Sequence, residues 1–196
     1  TLELARRGYD MIGIDSSADM LNCALEKSAG LEVSPLWVCQ DMRSFELYGT
    51  VDAVVCTLDS LNYITDYSDL KSVFGLVKNY LNPGGLFIFD INTPYKFENI
   101  LRDNFFYEIG EDITYIWQNS YDPATGICTF DLTFFVRESG ELYRRLEEEQ
   151  QQRAWSFEEI KAALGESGLK LIDILEQYTL NPPDEKSERC FFVVSA

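Results

Sequence analysis

Three carboxylates, Asp15, Asp41 and Asp59, each stand just past an apolar, strand-like run. An acid at the carboxyl tip of a parallel strand faces the crevice where α/β proteins bind ligands, and can take both hydroxyls of a ribose. Asp15, closing the run 9–14, suits that task, although it could equally cap a helix beside Ser16. Asp41, in C-Q-D-M-R (39–43), can accept the exocyclic amine of an adenine while the backbone N–H of Met42 donates to the ring; its plain alternative is a solvated loop acid. The segment C-T-L-D-S-L-N-Y (56–63) sets Asp59, Ser60, Asn62 and Tyr63 at one strand end, which is either an elaborate helix cap or a functional loop. A ribose-binding acid is common to dinucleotide and adenosyl-sulfonium sites, so Asp15 alone leaves both open.

The chain contains no histidine, which removes Ser-His-Asp and Cys-His machinery and the usual zinc and iron sites. A general base must then be Asp, Glu, Tyr, Lys, Cys or water, and no metal is expected. The cysteines at 23, 39, 56, 128 and 190 are scattered and odd in number, and four of the five lie in apolar segments. They read as small core hydrophobes rather than a disulfide framework. A net charge of −17 repels phosphate backbones, so no nucleic-acid partner is expected. No stretch approaches the ~20 apolar residues of a membrane span, and residues 1–7 read as a helix end rather than a signal peptide. A soluble, cytoplasmic protein with no membrane partner is expected.

The elements that must position these residues alternate. Residues 9–15, 35–40, 51–58 and 85–92 read as short strands, the last two as near-continuous apolar runs of the kind buried on both faces. One helix starts at Ser16 or Ser17 and carries Ala18, Leu21 and Leu25 at helical spacing to about Gly30. A second, capped by Ser68, puts Leu70, Val73, Phe74, Val77 and Leu81 on one face and stops at Asn82-Pro83-Gly84-Gly85. Alternation of this kind calls for a parallel sheet with crossover helices. After Pro94, the runs 113–121, 126–136 and 141–149 form an antiparallel meander. Ser156-Phe157-Glu158-Glu159 is a capping box opening a helix to about Gly168, and 169–180 with 189–195 form a hairpin. The expected fold is α/β: a Rossmann-like, doubly wound, mostly parallel sheet with an antiparallel last strand and an inserted antiparallel meander. One domain is expected over 1–196, with a core of 1–94 and 154–196 and an insert of about 95–153. Because the chain starts inside a helix, the first, central strand of such a sheet is expected upstream of Thr1.

The succession GIDSSADML (13–21), CQDM (39–42), VDAVVCTLDSLNYI (51–64) and LNPGGLFIFDINTP (81–94) resembles the class I S-adenosylmethionine-dependent methyltransferases over essentially the whole chain. The terminal hairpin adds to the resemblance, since the seventh strand of that family is antiparallel. The meander looks like the lid insert of bacterial members acting on small molecules, such as sugar N-methyltransferases. The resemblance implies that Asp15 binds the ribose of S-adenosylmethionine, with Ser16 and Met20 flanking the adenosine. It also implies that Asp41 and Met42 hold the adenine, and that Leu58 and Asp59 line the methionine and methyl end. Asn62 and Tyr63 would belong to the acceptor site. The family's glycine-rich loop has no counterpart from Thr1 onward and is expected just upstream.

The implied activity is methyl transfer to a small-molecule N or O acceptor, leaving S-adenosylhomocysteine. Positioning the acceptor is most of that task, which agrees with a histidine-free site. Asp59, Tyr63 or a lid tyrosine could take a proton. Tyr115, Trp117 and Tyr121 alternate onto one face of their strand, where they could wall a substrate pocket, pack the meander or pair with a second subunit in a homodimer. The run 144–153 (RRLEEEQQQR) reads as a solvated strand end. Two rival readings share these residues: an NAD(P)-dependent oxidoreductase, which would also use Asp15, and a non-catalytic binding module on a methyltransferase fold.

Overall fold

The computed structural model describes residues 1–31 and 34–196, which pack as two units, Thr1–Gly49 and Thr50–Ala196. The first unit runs α1 (Leu2–Arg6), β1 (Ile12–Asp15), α2 (Ala18–Ser28) and β2 (Leu36–Cys39). β1 and β2 pair in parallel, with Gly13 opposite Trp37 and Asp15 opposite Cys39. Gly13 admits no side chain, because a Cβ there would stand 2.2 Å from the Trp37 ring. That ring is fixed in turn: its N–H donates to Ser28 Oγ at 3.0 Å, and the Ser28 hydroxyl donates to Ala24 O at 2.6 Å. Ser17, not Ser16, caps α2 by accepting the Met20 N–H.

The second unit begins with β3 (Val51–Cys56), α3 (Tyr67–Tyr80) and β4 (Leu81–Asn92). It continues through a short helical turn, α4 (Pro94–Lys96), extended by a π-type turn over Phe97–Leu101. Four antiparallel strands follow in order, β5 (Phe105–Ile109), β6 (Ile113–Asp122), β7 (Ile127–Ser139) and β8 (Leu142–Arg153). The chain ends with α5 (Phe157–Glu166), β9 (Lys170–Glu176) and β10 (Arg189–Ser195). β3, β4, β10 and β9 form one sheet in that order, β3 parallel to β4 and β10 antiparallel to both its neighbours. Its core is aromatic. Phe89 stacks on Phe192 at 4.9 Å and lies tilted against Phe87 at 4.7 Å, while Phe74 of α3 meets Phe87 edge-on at 5.9 Å. Burying each such ring contributes roughly 1.5–3 kcal/mol.

Several sequence expectations shift. Asp66 rather than Ser68 caps α3, accepting the Ser68 N–H at 2.7 Å and its hydroxyl at 2.6 Å. β3 ends at Cys56, because Leu58 and Asp59 turn into the left-handed region at φ 62° and 51°. β9 ends at Glu176, just before Tyr178 does the same at φ 60°. β5 and the turn at 94–101 were not expected; from that turn Phe97 and Leu101 pack with Cys128 and Phe130 of β7. The run 144–153 is solvated only in part, since Gln152 is 1% exposed. Of the cysteines, Cys128 and Cys190 are buried and Cys56 half-buried, but Cys23 and Cys39 are exposed. Among the described residues no helix is long and apolar enough to cross a membrane.

The expected capping box is present in both arms. Ser156 Oγ accepts the Glu159 N–H at 3.2 Å, and Glu159 Oε2 accepts the Ser156 N–H at 3.0 Å. Ser156→Ala should therefore lower stability by about 1 kcal/mol in urea unfolding, with Ser156→Thr close to the parent.

Candidate active site

At the strand ends of the first unit, Asp15 Oδ1 accepts the Ser17 N–H at 2.8 Å, and Asp15 O accepts the Gln40 N–H at 3.0 Å. The second bond stitches the segment after β2 to the tip of β1, so Asp15 and Asp41 occupy one edge. Both roles weighed for Asp15 are compatible: one oxygen steadies the start of α2, and Oδ2 has no protein donor among the described residues. Asp41 is committed more heavily. Arg43 donates its backbone N–H to Oδ1 at 2.8 Å and its guanidinium to both oxygens, down to 2.5 Å at Oδ2. These hydrogen bonds hold the Asp41 carboxyl below its ordinary range, so an adenine amine would meet an ionised but shared acceptor. Ser16 and Met20 are exposed beside this edge and Met42 is half-buried.

In the second unit, three charges converge on the tip of β3. Arg189, at the head of β10, donates to Asp59 Oδ1 at 2.5 Å and to Asp90 Oδ2 at 2.9 Å. Asp90 Oδ1 accepts the backbone N–H of Asp59 at 2.8 Å, and Gln152 of β8 donates to Asp59 Oδ2 at 2.6 Å. Burial works against the Arg189 charge, but the hydrogen bonds to Asp59 and Asp90 outweigh it and raise its pKa. The clamp also explains the backbone. Leu58 and Asp59 are consecutive non-glycine residues at positive φ, each strained by roughly 1–2 kcal/mol, and such geometry persists only where surroundings impose it. With both its oxygens engaged, Asp59 is built to position this loop more than to take a proton. Leu58, by contrast, is 75% exposed.

Asn62 is 0% exposed. Its amide donates to Asn92 O and Arg153 O, and its oxygen accepts the Asn92 N–H, so both N–H donors are spent within the fold. It ties the loop to β4 and β8 rather than facing a substrate. Tyr63 is 45% exposed and donates to Gln150 Oε1 at 2.9 Å. Burial pushes its phenol pKa up, which disfavours the phenolate that a proton acceptor would need.

Beside the clamp lies a cavity of ≈ 370 Å³. One wall is apolar, with Trp117, Phe130, Leu132 and Phe134 from β6 and β7. The other is polar and includes Asp59, Tyr63, Lys96, Gln150, Gln152 and Arg189. Strand register sets the polar β8 residues beside the apolar ones, with Trp117, Leu132 and Glu148 in one row across β6, β7 and β8 and Gln150 opposite Phe130. Tyr115 is not part of the lining and packs on Phe134 at 6.2 Å. Arg189, Gln152 and Lys96 were missed in the sequence; only the Gln-rich end of the run 144–153 hinted at any of them. Among the described residues no His, Cys, Asp or Glu cluster could hold a metal.

A family described as "Methyltransferase domain" matches residues 1–85. Over 193 residues the chain is 35% identical to YqeM of Bacillus subtilis (strain 168), a methyltransferase by name, covering 98% of this chain and 77% of that protein. It is 34% identical to an S-adenosylmethionine-dependent methyltransferase of known structure from Clostridium acetobutylicum ATCC 824, with a TM-score of 0.88 over 95% of this chain and 75% of that one. The chain belongs to the class I S-adenosylmethionine-dependent methyltransferases. Its α/β, Rossmann-like fold with an antiparallel last strand is the methyltransferase fold, and the oxidoreductase and non-catalytic readings fall away. The sugar N-methyltransferase KedS8 from Streptoalloteichus sp. ATCC 53650 shares the fold at 20% identity, with a TM-score of 0.73 over 94% of this chain and 70% of that one.

Arg189→Met leaves the Asp90 carboxylate, 2% exposed, without its counter-charge. Urea unfolding of this methyltransferase variant should show a loss of roughly 3–5 kcal/mol, with partial recovery in Arg189→Lys, which keeps the charge without the fork.

Proposed function

We propose that this methyltransferase methylates an amine or hydroxyl of a small molecule held in the cavity between the β3 tip loop and the β5–β8 sheet. The observation that carries this reading is the cavity itself, which faces a clamped strand-end loop with an aromatic wall. Such a half-apolar concavity with a few convergent polar groups is the ordinary form of a small-ligand site. Similarity in fold to a sugar N-methyltransferase supports a small acceptor. On this reading the single domain comprises 1–94 and 154–196, with 95–153 as its lid.

Asp15 would hold the ribose of S-adenosylmethionine, with Ser16 and Met20 beside the adenosine. Asp41 and the Met42 N–H would hold the adenine, and Leu58 and Asp59 would line the methionine end. The free Oδ2 of Asp15 and the exposed Leu58 fit that assignment. The bound group supplies a methyl already activated on sulfonium sulfur. What this chain adds is placement: the clamp fixes Asp59, Tyr63 offers its hydroxyl oxygen to the cavity, and the aromatic wall excludes water. No one residue is required as a base.

The reading extends to a cytoplasmic protein without nucleic-acid or membrane partners, as its charge of −17 favours. The exposed row Phe105, Tyr107 and Ile109 on β5 supports self-association as a homodimer. Sedimentation should then show a dimer that Tyr107→Lys weakens.

Calorimetry tests the cofactor assignment directly. S-adenosylhomocysteine should bind the protein at micromolar concentration, and Asp15→Ala should weaken it roughly 10–100-fold, as loss of charged hydrogen bonds predicts. Absence of binding to the parent protein would refute the assignment. A homocysteine-release screen over amines, hydroxylated metabolites and sugars should then find the acceptor.

A further inference from the structure

Four charged side chains line the cavity: Asp59, Arg189, Lys96 and Glu148. Asp59 is paired with Arg189 at 2.5 Å, and Arg189 also serves Asp90 at 2.9 Å, so both carboxylates are already engaged by that one cation. Glu148 is exposed to solvent and accepts the Gln150 amide at 2.5 Å. Lys96 is different. It is half-buried, forms no ion pair among the described residues, and has one hydrogen bond, from Nζ to the neutral Asn92 Oδ1 at 3.0 Å. An ammonium has three donors, so two remain to be used.

Its root is held firmly. Thr93 is 3% exposed; its hydroxyl donates to Ser187 O at 2.6 Å and accepts the Lys96 N–H at 3.3 Å. Pro94 opens the same turn. The lysine is thus delivered into the cavity from a rigid turn. Burial lowers its pKa and the charge of Arg189 adds to that, while Asp59, Glu188 and Asp90 oppose it. A half-desolvated cation without a contact anion gains from any ligand that supplies one.

Resting on the methyl-transfer reading above, we propose that the cavity takes an acceptor bearing one anionic oxygen group, a carboxylate or a phosphate, seated on Lys96. In a chain of net charge −17 the long-range field opposes anions, so recognition must come from a local cation such as this. Glu148 on the same lining disfavours a second anionic group. The apolar body of the acceptor lies against Trp117, Phe130, Leu132 and Phe134.

The test is a ligand-observed NMR titration of the protein, with S-adenosylhomocysteine present, using matched probes. Phenylacetate is compared with phenylacetamide, and phenyl phosphate distinguishes phosphate from carboxylate. At least one anion should bind ten or more times tighter than the amide. Lys96→Met and Lys96→Gln should erase that preference, and Lys96→Arg should keep it. Equal binding, no anion binding at millimolar concentration, or an anion preference that survives in both neutral variants would overturn the proposal and leave Lys96 a tether for Asn92. Calorimetry with S-adenosylhomocysteine alone separates the two claims, because failure there refutes the cofactor assignment, whereas normal binding with no anion preference refutes only the role of Lys96.

Discussion

The guanidinium of Arg189 bridges two carboxylates that reach it from different parts of the chain, and the shape of the β3 tip follows from that bridge. Asp90 lies inside β4 at 1% exposure, and a lone carboxylate there would cost several kcal/mol. Arg189 offsets that cost because β10 runs antiparallel, which brings its first residue to the edge where β3 and β4 end. The same side chain then has a second arm for Asp59, and the β3 tip can rest in a left-handed conformation that neither Leu58 nor Asp59 would choose alone. A parallel last strand would present its far end here, and the bridge could not form.

Gln152 carries the constraint into the second sheet. Its amide donates to Asp59 while its oxygen accepts from Asn92, and Asn62 binds the backbones of both Asn92 and Arg153. The loop after β3 is therefore held from β4, β8 and β10 together. The neighbouring Arg153 lies over the Trp155 ring at 3.9 Å and donates to Thr65 O, fixing the far end of the same loop. Charge, amide and aromatic contacts act in one direction: they hold the β3 tip and the loop after it from several strands at once.

Much of the scaffold was legible in local pattern. The alternation of apolar runs and helices, the capping box at Ser156 and Glu159, the antiparallel end hairpin and most of the meander each announce themselves within a few residues. Strand-tip acids were legible for the same reason. The clamp was not, because Arg189 meets Asp59 across 130 residues and Gln152 meets it across 93. In the sequence Arg189 closes a polar loop and Gln152 ends a charged run, so nothing nearby marks either as buried. Asn62 was legible only in part: its place in a strand-end cluster shows in the sequence, but the saturation of its amide by Asn92 and Arg153 does not. β5 was hidden by its five-residue length, even though Asp103 and Asn104 directly before it are turn residues.

The side chains of β8 at 148, 150 and 152 point like alternate teeth of a comb toward one cavity, but they are not equally free to change. Glu148 is exposed and accepts the Gln150 amide, so its replacement alters charge at the cavity, whereas Gln150 accepts the Tyr63 hydroxyl and is tied to the loop after β3. Gln152 is locked to Asp59 and Asn92, so replacing it disturbs the loop itself. One strand thus separates an adjustable register from a fixed one. On the proposed reading of this cavity as the acceptor site, divergence in the acceptor falls first on the tooth at 148, where directed evolution of acceptor choice would begin, while those at 150 and 152 stay tied to the loop.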